Sequence, residues 1–183
     1  MMKTFLTIVT LLLFLLPAKD QVKAQFAIGA SYEIRDEYPT NGFGLRLEKG
    51  LMGKNHLLDL TIRGHFSYFN ETNNLKIGEG ISISRDMDVH DYGLAALLGV
   101  RLGIVRPYAG AGIGLDRFKQ NTERDQFSFK ENNFYWNAFG GAEFTLIPVI
   151  SPFIEYRASR FTGTEDLSFD SVNRIAFGIY LRF

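Results

Sequence analysis

The sequence contains no cysteine. That absence excludes a disulfide framework, thiolate catalysis, cysteine-ligated metals and acylation of a lipoprotein cysteine. An excess of either charge is lacking too, because 20 basic residues face 20 acidic ones. Without residues 1–24, which carry Lys3, Lys19, Lys23 and Asp20, 17 basic and 19 acidic residues leave a charge of −2. Nucleic acid is therefore not an expected partner, since its phosphates select basic surfaces. Histidine is sparse, and His56, His65 and His90 fall in unlike predicted environments, so neither a metal site nor a cofactor is expected. Long hydrophobic runs are missing: Phe5 to Leu16 spans twelve residues, short of the ~20 that a spanning helix requires.

What the N-terminus does carry is the layout of a secretory signal. Lys3 supplies the charged region, Phe5 to Leu16 the hydrophobic region, and Pro17 ends it. Val22 and Ala24 stand three before and one before a cleavage ahead of Gln25. The reading is a signal peptide over 1–24 and a single mature domain over 25–183.

Within that domain the dominant pattern is period two, and no segment sustains helical periodicity. Eight strands are expected, at about 25–33, 42–49, 57–68, 89–102, 106–118, 134–145, 149–161 and 173–183. In the third, Leu58, Leu60, Ile62, Phe66 and Tyr68 alternate with Asp59, Thr61, Arg63, His65 and Ser67. In the last, Ile175, Phe177, Ile179, Leu181 and Phe183 alternate with Arg174, Ala176, Gly178, Tyr180 and Arg182. Successive side chains on a strand point to opposite faces, so each segment has one face for lipid and one for a polar interior. Leu97 is an apolar exception on the inner face of the fourth.

Connections alternate between long polar segments (33–41, 69–88, 119–133, 162–172) and short turns (50–56, 103–105, 146–148). Long external loops and short periplasmic turns are the pattern of outer-membrane barrels, which puts both mature termini in the periplasm. Aromatics gather at strand ends, with Phe66, Tyr68, Tyr92, Phe118, Trp136 and Phe161 toward the external interface. Phe26, Tyr108, Phe144, Phe153 and Phe183 gather toward the periplasmic one. A soluble exported ligand-binding barrel or sandwich is the alternative, and it would put the apolar face inward and the charged face outward.

A terminal strand ending on an aromatic carboxy-terminal residue resembles the assembly signal of outer-membrane barrels. The glycine-rich run Arg106-Pro107-Tyr108-Ala109-Gly110-Ala111-Gly112-Ile113-Gly114, with Gly141-Ala142-Glu143-Phe144, resembles a strand common in the small eight-stranded OmpA and OmpX type. The resemblance covers Gln25 to Phe183 and implies an all-β, antiparallel, up-and-down transmembrane β-barrel. It also implies outer-membrane lipid and the barrel-assembly machinery, met through the C-terminal strand, as partners. The glycines lie within strands, without the strand-to-helix context that phosphate binding needs.

Eight strands enclose an interior that side chains can fill. The expected interior charge network is Arg46, Glu48, Asp59, Arg63, Asp91, Arg101, Asp116, Glu143, Glu155, Arg157, Arg174 and Arg182, six acids and six bases that pair with one another. A narrow gated ion path is the functional alternative for the same residues. His65, Ser67 and Asp59 share one strand face and superficially offer a lipid-modifying enzyme, but they face the predicted lumen, away from lipid; His90, with Ser82 and Ser84 nearby, is closer to the external interface but lacks a diagnostic spacing. Leu75, Ile77, Ile81, Ile83, Phe127 and Phe129 repeat at spacing two within predicted loops, as do Leu167 and Phe169, so strands can extend outward and offer an external edge to an extracellular protein or surface ligand. The function expected is a noncatalytic outer-membrane barrel contributing to surface architecture, envelope integrity or adhesion.

Overall fold

In the computed structural model the described residues are 26–51, 57–76, 82–122, 129–145, 149–162 and 170–183, with only the backbone described at 74–76, 82–85, 121, 122 and 129. The proposed signal, His56, Ile77, Ile81, Phe127, Leu167 and Phe169 lie outside them. The strands are β1 (Phe26–Arg35), β2 (Asn41–Gly50), β3 (Leu58–Lys76), β4 (Ser82–Val100), β5 (Val105–Thr122), β6 (Phe129–Phe144), β7 (Ile150–Thr162) and β8 (Ser171–Arg182). Each pairs antiparallel with the next, and β1 pairs with β8 to close the barrel. Closure leaves no sheet edge within the cylinder, which a lipid environment demands of any backbone that is not helical.

Alternation sets the two faces. In β2, Phe43, Leu45 and Leu47 are exposed while Gly44, Arg46 and Glu48 are buried. In β8, Ile175, Phe177, Ile179 and Leu181 are exposed while Arg174, Ala176 and Tyr180 are buried. The charged face thus turns inward and the apolar face outward, the reverse of a soluble carrier.

Turn chemistry agrees with this topology at the β4–β5 connection. Leu102 and Val105 exchange backbone hydrogen bonds of 2.9 and 3.2 Å around Gly103 and Ile104. Gly103 has φ 64°, a conformation that two-residue hairpins require and glycine adopts without steric cost.

Strand ends depart from the sequence expectation. β1 continues past Glu33 through Arg35, and the connections expected over 69–88 and 119–133 are largely strand. β1 and β2 have 10 residues each, whereas β3 and β4 have 19 and β5 has 18. About ten residues suffice to cross a bilayer, so what reaches beyond the barrel at this end is mainly paired strand.

Aromatic placement also needs correction. Tyr108, Phe118 and Phe153, expected at the lipid interfaces, are buried on the inner face. Inner rings sit directly across a ladder from glycine: Tyr180 opposite Gly29, Phe139 opposite Gly110, Tyr108 opposite Gly141, Tyr135 opposite Gly114 and Phe69 opposite Gly42. A Cβ on Gly29 would meet Tyr180 Cε1 at 2.6 Å, and one on Gly110 would meet Phe139 Cζ at 2.6 Å. The glycines of these strands make room for rings that fill the cylinder.

Candidate functional site

The interior is a stacked ion-pair network. At the end nearest the termini, Arg106 donates to Asp59 through Nε at 2.8 Å and to Glu143 Oε2 at 3.0 Å. Arg182 bridges Glu143 and Glu48, the latter at 3.2 Å, and Arg101 reaches Asp59 at 3.3 Å. In the middle, Glu155 accepts from Arg157 Nη2 at 3.1 Å, Tyr108 Oη at 3.0 Å and Arg63, and forms an ion pair with Arg46 Nη1 at 3.0 Å. Arg63 also donates to Glu48 at 2.9 Å. At the far end Arg174 joins Glu33, at 3.1 Å, to Asp91, while Asp116 faces Arg35 at 3.7 Å.

Guanidinium planes lie over the inner rings: Arg46 over Phe153 at 4.5 Å, Arg63 over Phe139 at 4.9 Å, and Arg35 and Arg174 over Phe69 at 5.0 and 5.1 Å. Charge pairing and cation–π contact together fill the space that a pore would need open. Above this level Phe69, Met87, Val89 and Phe118 form a buried apolar cluster toward the loop end.

All twelve residues expected in the network lie on the inner face or at its mouth, and the structure adds Glu33, Arg35 and Arg106 to them. Glu33 and Arg35 had been assigned to the end of a strand and a loop. Their signal was the alternation itself, which continues through Ser31, Glu33 and Arg35. Arg106 shares the parity of Gly110 and Asp116, which marks it as inward.

His65, Ser67 and Asp59 do not assemble as a catalytic set, and the side chains of Ser82 and Ser84 lie outside those described. His65 is buried, with Nε2 2.9 Å from Tyr135 Oη and 3.4 Å from Asp91. Ser67 accepts from Arg174 at 3.4 Å, and Asp59 belongs to the opposite tier with Arg106. A nucleophile needs its base within hydrogen-bond reach, and no His65–Ser67 bond occurs. His90 lies outside the barrel between the rings of Phe66 and Tyr68, at 6.2 and 5.0 Å. Among the described residues, no three His, Cys, Asp or Glu side chains converge as a metal centre would require.

Outside, three tyrosines reach toward polar residues at the loop end of the apolar band. Tyr32 donates to Asn41 at 2.8 Å, Tyr68 to Asp88 at 3.0 Å and Tyr156 to Asn173 at 2.9 Å, each hydroxyl meeting a polar residue beyond the band. Amphipathic rings with wet tips mark a membrane interface. The sequence matches the family model described as outer membrane protein beta-barrel domain over residues 6–183. The chain belongs to this family. Its place is the bacterial outer membrane, in contact with lipid.

Solved outer-membrane barrels share the architecture. Neisserial surface protein A has 14% identity and a TM-score of 0.59, with 87% of this chain and 97% of that one covered. The attachment invasion locus protein of Yersinia pestis has 19% identity and a TM-score of 0.57, with the same coverages of 87% and 97%. A major outer membrane protein of Thermus thermophilus has 12% identity and a TM-score of 0.65, covering 88% and 100%. At these identities the likeness concerns the fold. No curated protein matches the chain.

In this outer-membrane barrel the expected partner edge falls on the strand extensions. Leu75 pairs with Ile83 in the β3–β4 ladder and Phe129 opens β6 opposite Gln120. β2 leaves β3 at the Gly42–Phe69 pair, and β7 meets β6 only from Phe134. Among the described residues, therefore, Asn70 to Lys76 pair only with β4, and Phe129 to Asn133 only with β5. A four-stranded sheet, β3 to β6, rises past the barrel, and among the described residues the β3 side of it has no further strand beside it. The base of that edge is covered where Glu71 accepts from the Thr40 backbone at 2.8 Å.

Proposed function

We propose that the protein is a noncatalytic surface barrel that recognises an extracellular protein by strand addition to the extended β3–β6 sheet. The observation that carries this reading is the run Asn70–Lys76, which among the described residues pairs with β4 on one edge and with no strand on the other, beside a filled cylinder. An exposed strand edge offers a row of backbone donors and acceptors to any extended segment. Seven residues at ~3.3 Å each give about 20 Å of edge, the length of an ordinary strand. The packed interior supports a scaffold in preference to an ion path.

In this reading residues 1–24 are removed on export and the β8 strand engages the assembly machinery. The strand extensions stand outside the cell, and both mature termini lie in the periplasm. The Yersinia pestis relative is named for attachment and invasion, which makes adhesion a role the fold accommodates.

The test is retention of cells displaying the protein on immobilised extracellular-matrix proteins, against cells lacking it. Leu75→Lys with Ile83→Lys, partners across the β3–β4 ladder, is expected to abolish retention and to leave the heat-dependent electrophoretic shift of the folded barrel intact. Equal retention of the variant would reject the edge model, as would no retention of wild-type cells above the control.

A further inference from the structure

The outward charges beyond the apolar band are sorted by strand. Following each strand toward the loop end, the first outward-facing charge is Arg117 on β5, Lys130 on β6 and Arg160 on β7, all exposed. On β1 and β4 it is Asp36 and Asp88, and β2, β3 and β8 leave the band through Asn41, Asn70 and Asn173. Among the described side chains, one side of the rim is therefore cationic and the rest acidic or neutral.

The acids are held within the protein. Asp36 accepts from the backbone and side chain of Asn173 at 2.8 and 2.7 Å, and Asp88 accepts from Tyr68 at 3.0 Å and Asn70 at 2.7 Å. The cations are arranged differently. Arg117 donates to Asn132 at 2.9 Å, and no ion pair among the described residues engages Arg117, Lys119, Lys130 or Arg160. Lys119 and Lys130, both exposed, are direct partners across the β5–β6 ladder, with Asp88 opposite Lys119 on the other side. Like charges directly opposite on one sheet face repel, and an anion seated between them would remove that repulsion. Arg160 is the ladder partner of Trp136, six residues along β6 from Lys130, and so belongs to a separate part of the rim.

We propose that this outward face of β5–β6 binds the phosphate groups of an outer-leaflet glycolipid, with Lys119 and Lys130 sharing one phosphate and Arg117, two residues from Lys119 on the same face, beside it. The acyl chains of the same lipid would lie along the contiguous apolar face of Ile113, Leu115 and Phe134, so the headgroup site continues an interface that already exists. The source of the phosphate rests on the orientation proposed above.

Purified full-length protein in neutral detergent, titrated with bisphosphorylated lipid A and read by native mass spectrometry, tests the site. Lys119→Ala with Lys130→Ala is expected to weaken binding by about tenfold, and Arg117→Ala alone by about fivefold. Dephosphorylated lipid A is expected to bind wild type as weakly, and Lys49→Ala at the opposite rim to bind like wild type. Retained heat-dependent mobility identifies the variants as folded. Unchanged binding by both variants would overturn the proposal, as would displacement of lipid A by an equal concentration of phosphatidylglycerol. Detergent binding reads the patch whichever way the barrel faces, and labelling of intact cells reads the orientation, so failure of one is distinguishable from failure of the other.

Discussion

Removing the Glu155 carboxylate is expected to be among the most damaging single changes in the barrel. Its side chain is fully buried, accepts from Arg63, Arg157 and Tyr108, and forms an ion pair with Arg46. Arg46 and Arg63 keep second partners in Glu33 and Glu48, but Arg157 forms an ion pair with no other carboxylate among the described residues. Breaking a buried ion pair from one side costs ~3 to 5 kcal/mol, because the remaining charge stays desolvated. Glu155→Ala strands one guanidinium and crowds two more, so a loss of about 4 kcal/mol is expected. Glu155→Leu combined with Arg157→Leu removes donor and acceptor together and is expected to recover part of that loss. Arg101→Ala is the internal contrast, since that side chain is 28% exposed and meets Asp59 at 3.3 Å; it is expected to cost ~1 kcal/mol or less. Urea unfolding in lipid vesicles, followed by the emission of the single tryptophan, Trp136, measures all three. A Glu155→Ala loss no larger than that of Arg101→Ala would refute the idea that the network holds the barrel together.

Three further outcomes follow from the packing. Gly29→Ala puts a methyl 2.6 Å from Tyr180 Cε1 and is expected to cost ~1 to 3 kcal/mol by overpacking, with Tyr180→Leu restoring most of it in the same unfolding assay. Leu45→Arg places a charge on the outward face near mid-span and is expected to cost ~2 to 4 kcal/mol, whereas Asn70→Arg, beyond the tyrosine level, is expected to change stability by under ~1 kcal/mol. In planar bilayers the wild-type barrel is expected to show no steady conductance. Persistent channel events that vanish on Arg46→Ala would instead favour the ion path.

The closed eight-stranded topology was legible because lipid and lumen impose period two on nearly every segment, as in Leu58 to Ser67. Most of the charge network followed from parity alone. What escaped was information held between strands. Tyr108 and Phe153 looked like interface aromatics because a sequence gives the height of a ring before its direction, and the glycines that accommodate inner rings become visible only with the ladder register. Glu33 and Arg35 were hidden by the assumption that a charged residue near a turn is solvated. The extensions of β3 to β6 were unclear because beyond the membrane both strand faces meet water, so Asn70 to Asn74 carry no apolar alternation. The phosphate-binding surface suffered the same limit: Lys119 and Lys130 become neighbours only through their pairing.

The central claim is that a sealed barrel presents its β3–β6 extension outside the cell. Because the chain has no native cysteine, single replacements report position cleanly. Intact cells carrying Thr72→Cys or Gly103→Cys, treated with a membrane-impermeant maleimide, test the claim most directly. Labelling at 72 and protection at 103 until the envelope is opened is the expected result; labelling at 103 with protection at 72 would contradict it.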